Sequence, residues 1–60
     1  MQACYKHDVE INGTSCEAID GKVVEVTRFL CDYPDGDRLM RVDYNGRNYH
    51  VWESCLTYCQ

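Results

Sequence analysis

Every glycine in this chain follows an asparagine or an aspartate: Asn12-Gly13, Asp20-Gly21, Asp35-Gly36 and Asn45-Gly46. Such dipeptides accept the positive φ of tight turns, so they mark where the chain reverses. Four reversals within 60 residues leave segments of strand length and none long enough for a packed helix. Ahead of the first turn, Tyr5, His7, Val9 and Ile11 alternate with Cys4, Lys6, Asp8 and Glu10, which predicts a half-buried first strand over 4–11. Lys22 to Cys31 is rich in Val, Thr and Phe. Val24, Val26 and Leu30 share one parity and Val23, Thr27, Phe29 and Cys31 the other, which predicts a central, strongly curved strand. Tyr33-Pro34-Asp35-Gly36 then reads as a turn.

The clearest hairpin is Arg38 to Tyr44 joined through Asn45-Gly46 to Arg47 to Trp52, with Met40, Val42 and Tyr44 on one face and Tyr49 and Val51 on one face. Glu53 to Cys59 predicts one 3-10 turn before Leu56 and Tyr58 form a short closing strand, and Thr14 to Asp20 has room for one helical turn. The sum is a single all-β domain over residues 1–60, built as a small barrel or sandwich.

Composition narrows the function classes. A net charge of −4 disfavours a general binder of phosphate backbones, whose surface is basic. The apolar runs Val23-Val24 and Phe29-Leu30-Cys31 fall far short of the roughly 20 residues of a membrane span. The start, Met1-Gln2-Ala3-Cys4-Tyr5-Lys6, has no secretory apolar stretch, so the expected setting is the cytoplasm, where thiols stay reduced. In that setting the Asn12-Gly13-Thr14 glycosylation tripeptide carries little meaning.

Five cysteines are many for this length. The sharpest arrangement is Cys4-x2-His7 near one terminus and Cys55-x3-Cys59 near the other, three thiolates and an imidazole that would bind one structural zinc if the first and last strands are neighbours. Against it, Cys4 and His7 have opposite parity on a strand. Disulfides are the second reading, with one thiol left over. The third is that cysteines pack as small hydrophobes, with Cys31 and Cys55 in apolar surroundings and Cys4, Cys16 and Cys59 near the surface. Catalysis is not expected: His7 or His50 beside a thiol would lack the material for an oxyanion hole and a substrate pocket, and no phosphate-binding glycine loop is present.

Gly21-Lys22-Val23-Val24-Glu25-Val26, Asp35-Gly36-Asp37 before Leu39 to Val42, the Asn45-Gly46 hairpin, and Val51-Trp52-Glu53-Ser54-Cys55-Leu56 together resemble the SH3-like small barrel over residues 20–58. The likeness is to KOW-like modules and to the short single-domain barrels of bacteriophages and mobile elements. It implies an SH3-like five-stranded barrel that works by binding. Proline-rich recognition is not carried over, because Trp52 lies late and Ser15-Cys16-Glu17-Ala18 has no acidic and aromatic cluster.

Seven aromatics exceed what so small an interior encloses, and surface Tyr and Trp beside Arg are favoured at protein contacts. The expected function is therefore a non-enzymatic protein-interaction module, in the setting of a phage or mobile-element regulator docking on a host protein or on its own copy. The expected contact surface is Tyr33, Arg41, Tyr44, Tyr49 and Trp52. The alternatives are a single-stranded nucleic-acid binder, with Arg41 or Arg47 near phosphates, and a zinc-stabilised mini-domain. No cofactor is expected apart from that zinc.

Overall fold

A computed structural model describes residues 1–59 as five antiparallel strands with little helix. Strands β1 (Gln2–Tyr5), β2 (Val23–Asp32), β3 (Arg38–Tyr44), β4 (Arg47–Trp52) and β5 (Leu56–Tyr58) lie in the spatial order β4-β3-β2-β1-β5. A 3-10 turn, Glu53–Cys55, precedes the last strand, as its sequence implies. No described helix is long and apolar enough to cross a membrane.

The long β2 organises the sheet. Its first residues pair with β1 and its remainder with β3, so Glu25 lies opposite Gln2 on one side and Asp43 on the other. Register shifts between Val26 and Arg28 and between Phe29 and Cys31 bend the strand. Such bulges insert an unpaired residue and increase the local twist, which folds the two halves of the sheet over one core. Ala3, Tyr5, Val24, Val42, Val51 and Leu56 fill that core, joined by Ile19 from the 3-10 turn Glu17–Ile19. The β3–β4 hairpin turns at Asn45 (φ 52°) and Gly46 (φ 83°), the two positive values that a two-residue hairpin loop needs.

Three expectations are corrected. The first strand ends at Tyr5 and does not run over 4–11, because Val9–Asn12 forms a single helical turn, α1. Asp8 caps it by accepting the Glu10 N–H at 3.0 Å, a local bond that competes with strand pairing. Second, the sheet is not closed into a barrel: β4 and β5 are its two edges. β5 is short, and the outer side of β4 is occupied by the β1–β2 loop. There the Trp52 N–H donates to Asn12 Oδ1 at 3.1 Å, the Trp52 indole N–H donates to the Ile11 carbonyl at 3.0 Å, and the Cys16 thiol donates to the His50 carbonyl at 3.6 Å. Third, Cys16 is buried by this arrangement, whereas Cys31, beyond the second bulge, is exposed.

Asp37 ties the β2–β3 turn to the 3-10 turn before β5. Its carboxylate accepts from the Arg38 N–H at 2.9 Å, the Ser54 N–H at 3.2 Å and the Ser54 hydroxyl at 2.9 Å. Partial desolvation pushes the carboxyl up, but the bonds from Arg38 and Ser54 together outweigh it and hold its pKa below the ordinary aspartate value. A pKa lower in the folded than in the unfolded state gives stability that is complete above the unfolded pKa, near ~4, and is lost as pH falls through the folded one. The Asp37→Ala variant should therefore melt below the parent at neutral pH, with the gap narrowing below about pH 4. Paired thermal melts across the acid range check this; a gap independent of pH contradicts it.

Candidate functional site

Residues opposite one another in an antiparallel pair lie on the same face, so the register sorts the expected contact residues. On the core-facing side, Met40 lies opposite Phe29 and Val51, and Val42 opposite Val26 and Tyr49. Tyr44, two residues beyond Val42, belongs to this side too, and Tyr44 and Tyr49 pack against the core. These two tyrosines are therefore not on one surface with Tyr33, Arg41 and Trp52, and the expected five-residue patch divides between two faces.

The outer face of β2, β3 and β4 is banded. One row is apolar, with Cys31 opposite Leu39 and Leu39 opposite Trp52. Tyr33, two residues past Cys31 and 43% exposed, sets its ring against Trp52 in a T-shaped contact, 4.4 Å between centroids and 83° between planes. Aromatic pairs favour this edge-to-face geometry. The next row carries two guanidinium groups and an imidazole: Arg28 lies opposite Arg41, and Arg41 opposite His50. The third is acidic at Glu25 and Asp43, with Asn48 on β4.

Counter-charges are unequally shared among these rows. Glu25 is held by the Met1 ammonium at 3.1 Å, and Asp43 Oδ1 lies 3.7 Å from Arg41 Nε. Among the described residues, Arg28 and the His50 ring have neither an ion pair nor a side-chain hydrogen bond. Leu39, Arg28 and His50 were not singled out as contact residues from the sequence. The place of Arg28 depends on the bulge between Val26 and Arg28, which the alternation of side chains does not reveal, whereas Leu39 and His50 follow the regular register of the β3–β4 hairpin.

The residues expected to hold zinc are not brought together. Cys4 points away from the face of Ala3 and Tyr5 and lies opposite Thr57 on β5. Cys59 is exposed past the end of β5, whereas Cys55 is buried and its Sγ accepts the Asn12 Nδ2–H at 3.1 Å. His7 Nδ1 meets the Tyr5 hydroxyl at 2.8 Å. Opposite parity on β1 separates Cys4 from the side on which Tyr5 and His7 meet, and among the described residues no group of three or more His, Cys, Asp or Glu side chains is placed to hold a metal ion. The residues present do not fit the zinc site, and the five cysteines are free thiols. Asn12, the acceptor of the glycosylation tripeptide, has its side-chain amide committed to Trp52 and Cys55.

An apolar groove of about 590 Å³ opens beside Met1, Val26, Phe29, Met40 and Tyr58, with Arg28 and Glu53 also in its lining. Arg38 lies 5.9 Å from the centre of the Phe29 ring, and Glu53 accepts the Tyr58 O–H at 2.8 Å. No family model matches the chain, and no curated protein or solved structure matches it.

Proposed function

We propose that this chain is a non-enzymatic protein-docking module of SH3-like architecture whose working surface is the outer face of β2, β3 and β4. The strand order β4-β3-β2-β1-β5, with a 3-10 turn before the last strand, supports the architectural kinship. The observation that carries the docking reading is the Tyr33–Leu39–Trp52 block next to the Arg28–Arg41–His50 row. Tyr, Trp and Arg dominate the energetics of protein contacts because they combine large apolar area with directed polar groups. The backbone of Trp52 is fixed by Asn12 and its indole by Ile11, so the anchor is held in place before a partner arrives.

Selection of a random peptide library on the immobilised protein tests this. Backbone amide shifts of labelled protein should respond to selected peptides at Tyr33, Leu39, Arg41 and Trp52. Tyr33→Ala should weaken binding by more than about 1 kcal/mol, the size expected of an aromatic anchor, with little change in melting temperature. Shifts confined to other faces, or equal binding by Tyr33→Ala, would remove this surface from consideration. Trp52→Ala is a poorer probe because it also breaks the indole bond to Ile11.

A further inference from the structure

We infer that the docking face receives an extended protein segment carrying an apolar side chain and, two residues along, a carboxylate. The apolar side chain covers Tyr33, Leu39 and Trp52, and the carboxylate lies over Arg28, Arg41 and His50. This rests on the docking reading above and specifies the chemistry of the partner.

The argument starts from an arrangement that is unfavourable in the free protein. Like charges directly opposite one another across strands destabilise a sheet, and here Arg28 faces Arg41. The one carboxylate in reach, Asp43, is shared with Arg41 alone at 3.7 Å, and Glu25 is committed to the Met1 ammonium. Arg28 is exposed and, among the described residues, has no ion pair or side-chain hydrogen bond. A carboxylate placed over this row would meet two guanidinium groups and an imidazole edge, replacing mutual repulsion with attraction.

The spacing comes from the sheet. Leu39 and Arg41 are two residues apart on β3, so the apolar and cationic rows are separated by about 7 Å, the rise of two strand residues. An extended segment running along the strands reproduces that distance between alternate side chains. The acidic row then distinguishes one class of polyanion from another. A nucleic-acid strand carries a phosphate on every nucleotide, so continuing along the face would bring phosphates over Glu25 and Asp43 as well. A protein segment can carry a single acid and remain uncharged beyond it.

The test uses the whole chain, whose only tryptophan is Trp52, so its fluorescence reports occupancy of the face. Four probes are titrated: a short Ser/Thr peptide with Leu and Glu two positions apart, the same peptide with Gln for Glu, the same with Lys for Glu, and oligothymidylate of similar length. The Leu-x-Glu peptide should bind best, and roughly three- to tenfold more tightly than its Gln counterpart. Arg28→Glu should abolish that preference and shift it toward the Leu-x-Lys peptide. Because the variant also removes the repulsion with Arg41, its melting temperature should rise by roughly 2–4 °C, a direction opposite to that of a residue kept for stability. Absence of binding by the Leu-x-Glu peptide overturns the inference, and so does tighter binding of oligothymidylate. Equal affinity for the Glu and Gln peptides overturns the acidic specificity and leaves the docking surface standing. Loss of the docking surface itself would show instead as amide shifts away from Tyr33 and Trp52.

Discussion

Tyr5→Ala should abolish cooperative folding at room temperature. Tyr5 has no accessible surface and is the largest of the fully buried side chains. Its backbone joins three parts of the molecule: Tyr5 lies opposite Leu56 on β5, its N–H donates to the Lys22 carbonyl at 3.0 Å, and its carbonyl accepts the Gly21 N–H at 2.8 Å. Truncating a buried aromatic costs about 3–5 kcal/mol, which equals the whole stability expected of a single core in a domain this small. The expected result is collapsed amide dispersion and no thermal transition; a sigmoidal melt above about 40 °C contradicts it. Tyr5→Phe is the milder partner. It keeps the ring and removes the hydroxyl that meets His7 Nδ1, leaving that nitrogen unpartnered at a cost of about 1–2 kcal/mol.

The hydroxyl adds a pH signature. Burial first, and then the neighbouring Cys16 and Cys55 thiols, push the Tyr5 pKa well above the ordinary tyrosine value. A folded pKa above the unfolded one gives stability that is complete below about pH 10 and is lost as pH rises toward the folded value. Alkaline unfolding followed by tyrosinate absorbance should show this contribution in the parent and lack it in Tyr5→Phe.

Asn12→Ala should produce the second largest loss, about 2 kcal/mol, or a melting temperature lower by about 10 °C. One side chain makes two contacts with distant parts of the chain, as Oδ1 accepts the Trp52 N–H and Nδ2 donates to Cys55 Sγ. Removing it leaves the Trp52 N–H without its acceptor on the free side of β4. An unpaired edge N–H is a template for strand addition, so the variant should also self-associate at high concentration. Hydrogen exchange at the Trp52 amide and light scattering measure the two effects separately. Unchanged exchange at that amide would show that Asn12 does not guard the edge. Asn12→Asp, which keeps the acceptor and loses the donor, should fall between parent and alanine.

Much of the fold was legible in the sequence because turn chemistry and side-chain alternation are local properties. The Asn45-Gly46 hairpin with its flanking strands, the strand beginning near Lys22 and the 3-10 turn ahead of Leu56 lie where those patterns put them. The helical turn at Val9–Asn12 was hidden by an alternation of apolar and polar residues that suits a strand equally well, although Asp8 is a helix-capping residue type. Barrel closure depends on what occupies the two outer edges, and no local pattern encodes that a loop amide will cover β4. The outer face that carries the proposed docking surface was read from the sequence only through residue type. Residue type pointed to Tyr33, Arg41 and Trp52, but the facing of Tyr44 and Tyr49 toward the core follows from register. The cysteines were the least legible, since the burial of Cys16 and the exposure of Cys31 depend on a loop contact and a bulge.

The irregularity at Thr27 gives one backbone position authority over the electrostatic pattern of a whole surface. Arg28 stands across from Arg41, and Phe29 across from Met40, because Thr27 is left out of the ladder just before them. Drawing Thr27 into the ladder opposite Arg41 would leave every side chain unaltered in kind while exchanging inside for outside along the remainder of the strand, sending a guanidinium toward the interior and a phenyl ring into water. Deletion of Thr27 is therefore expected to keep the facing of Arg28 and Phe29 and to remove only the local bend.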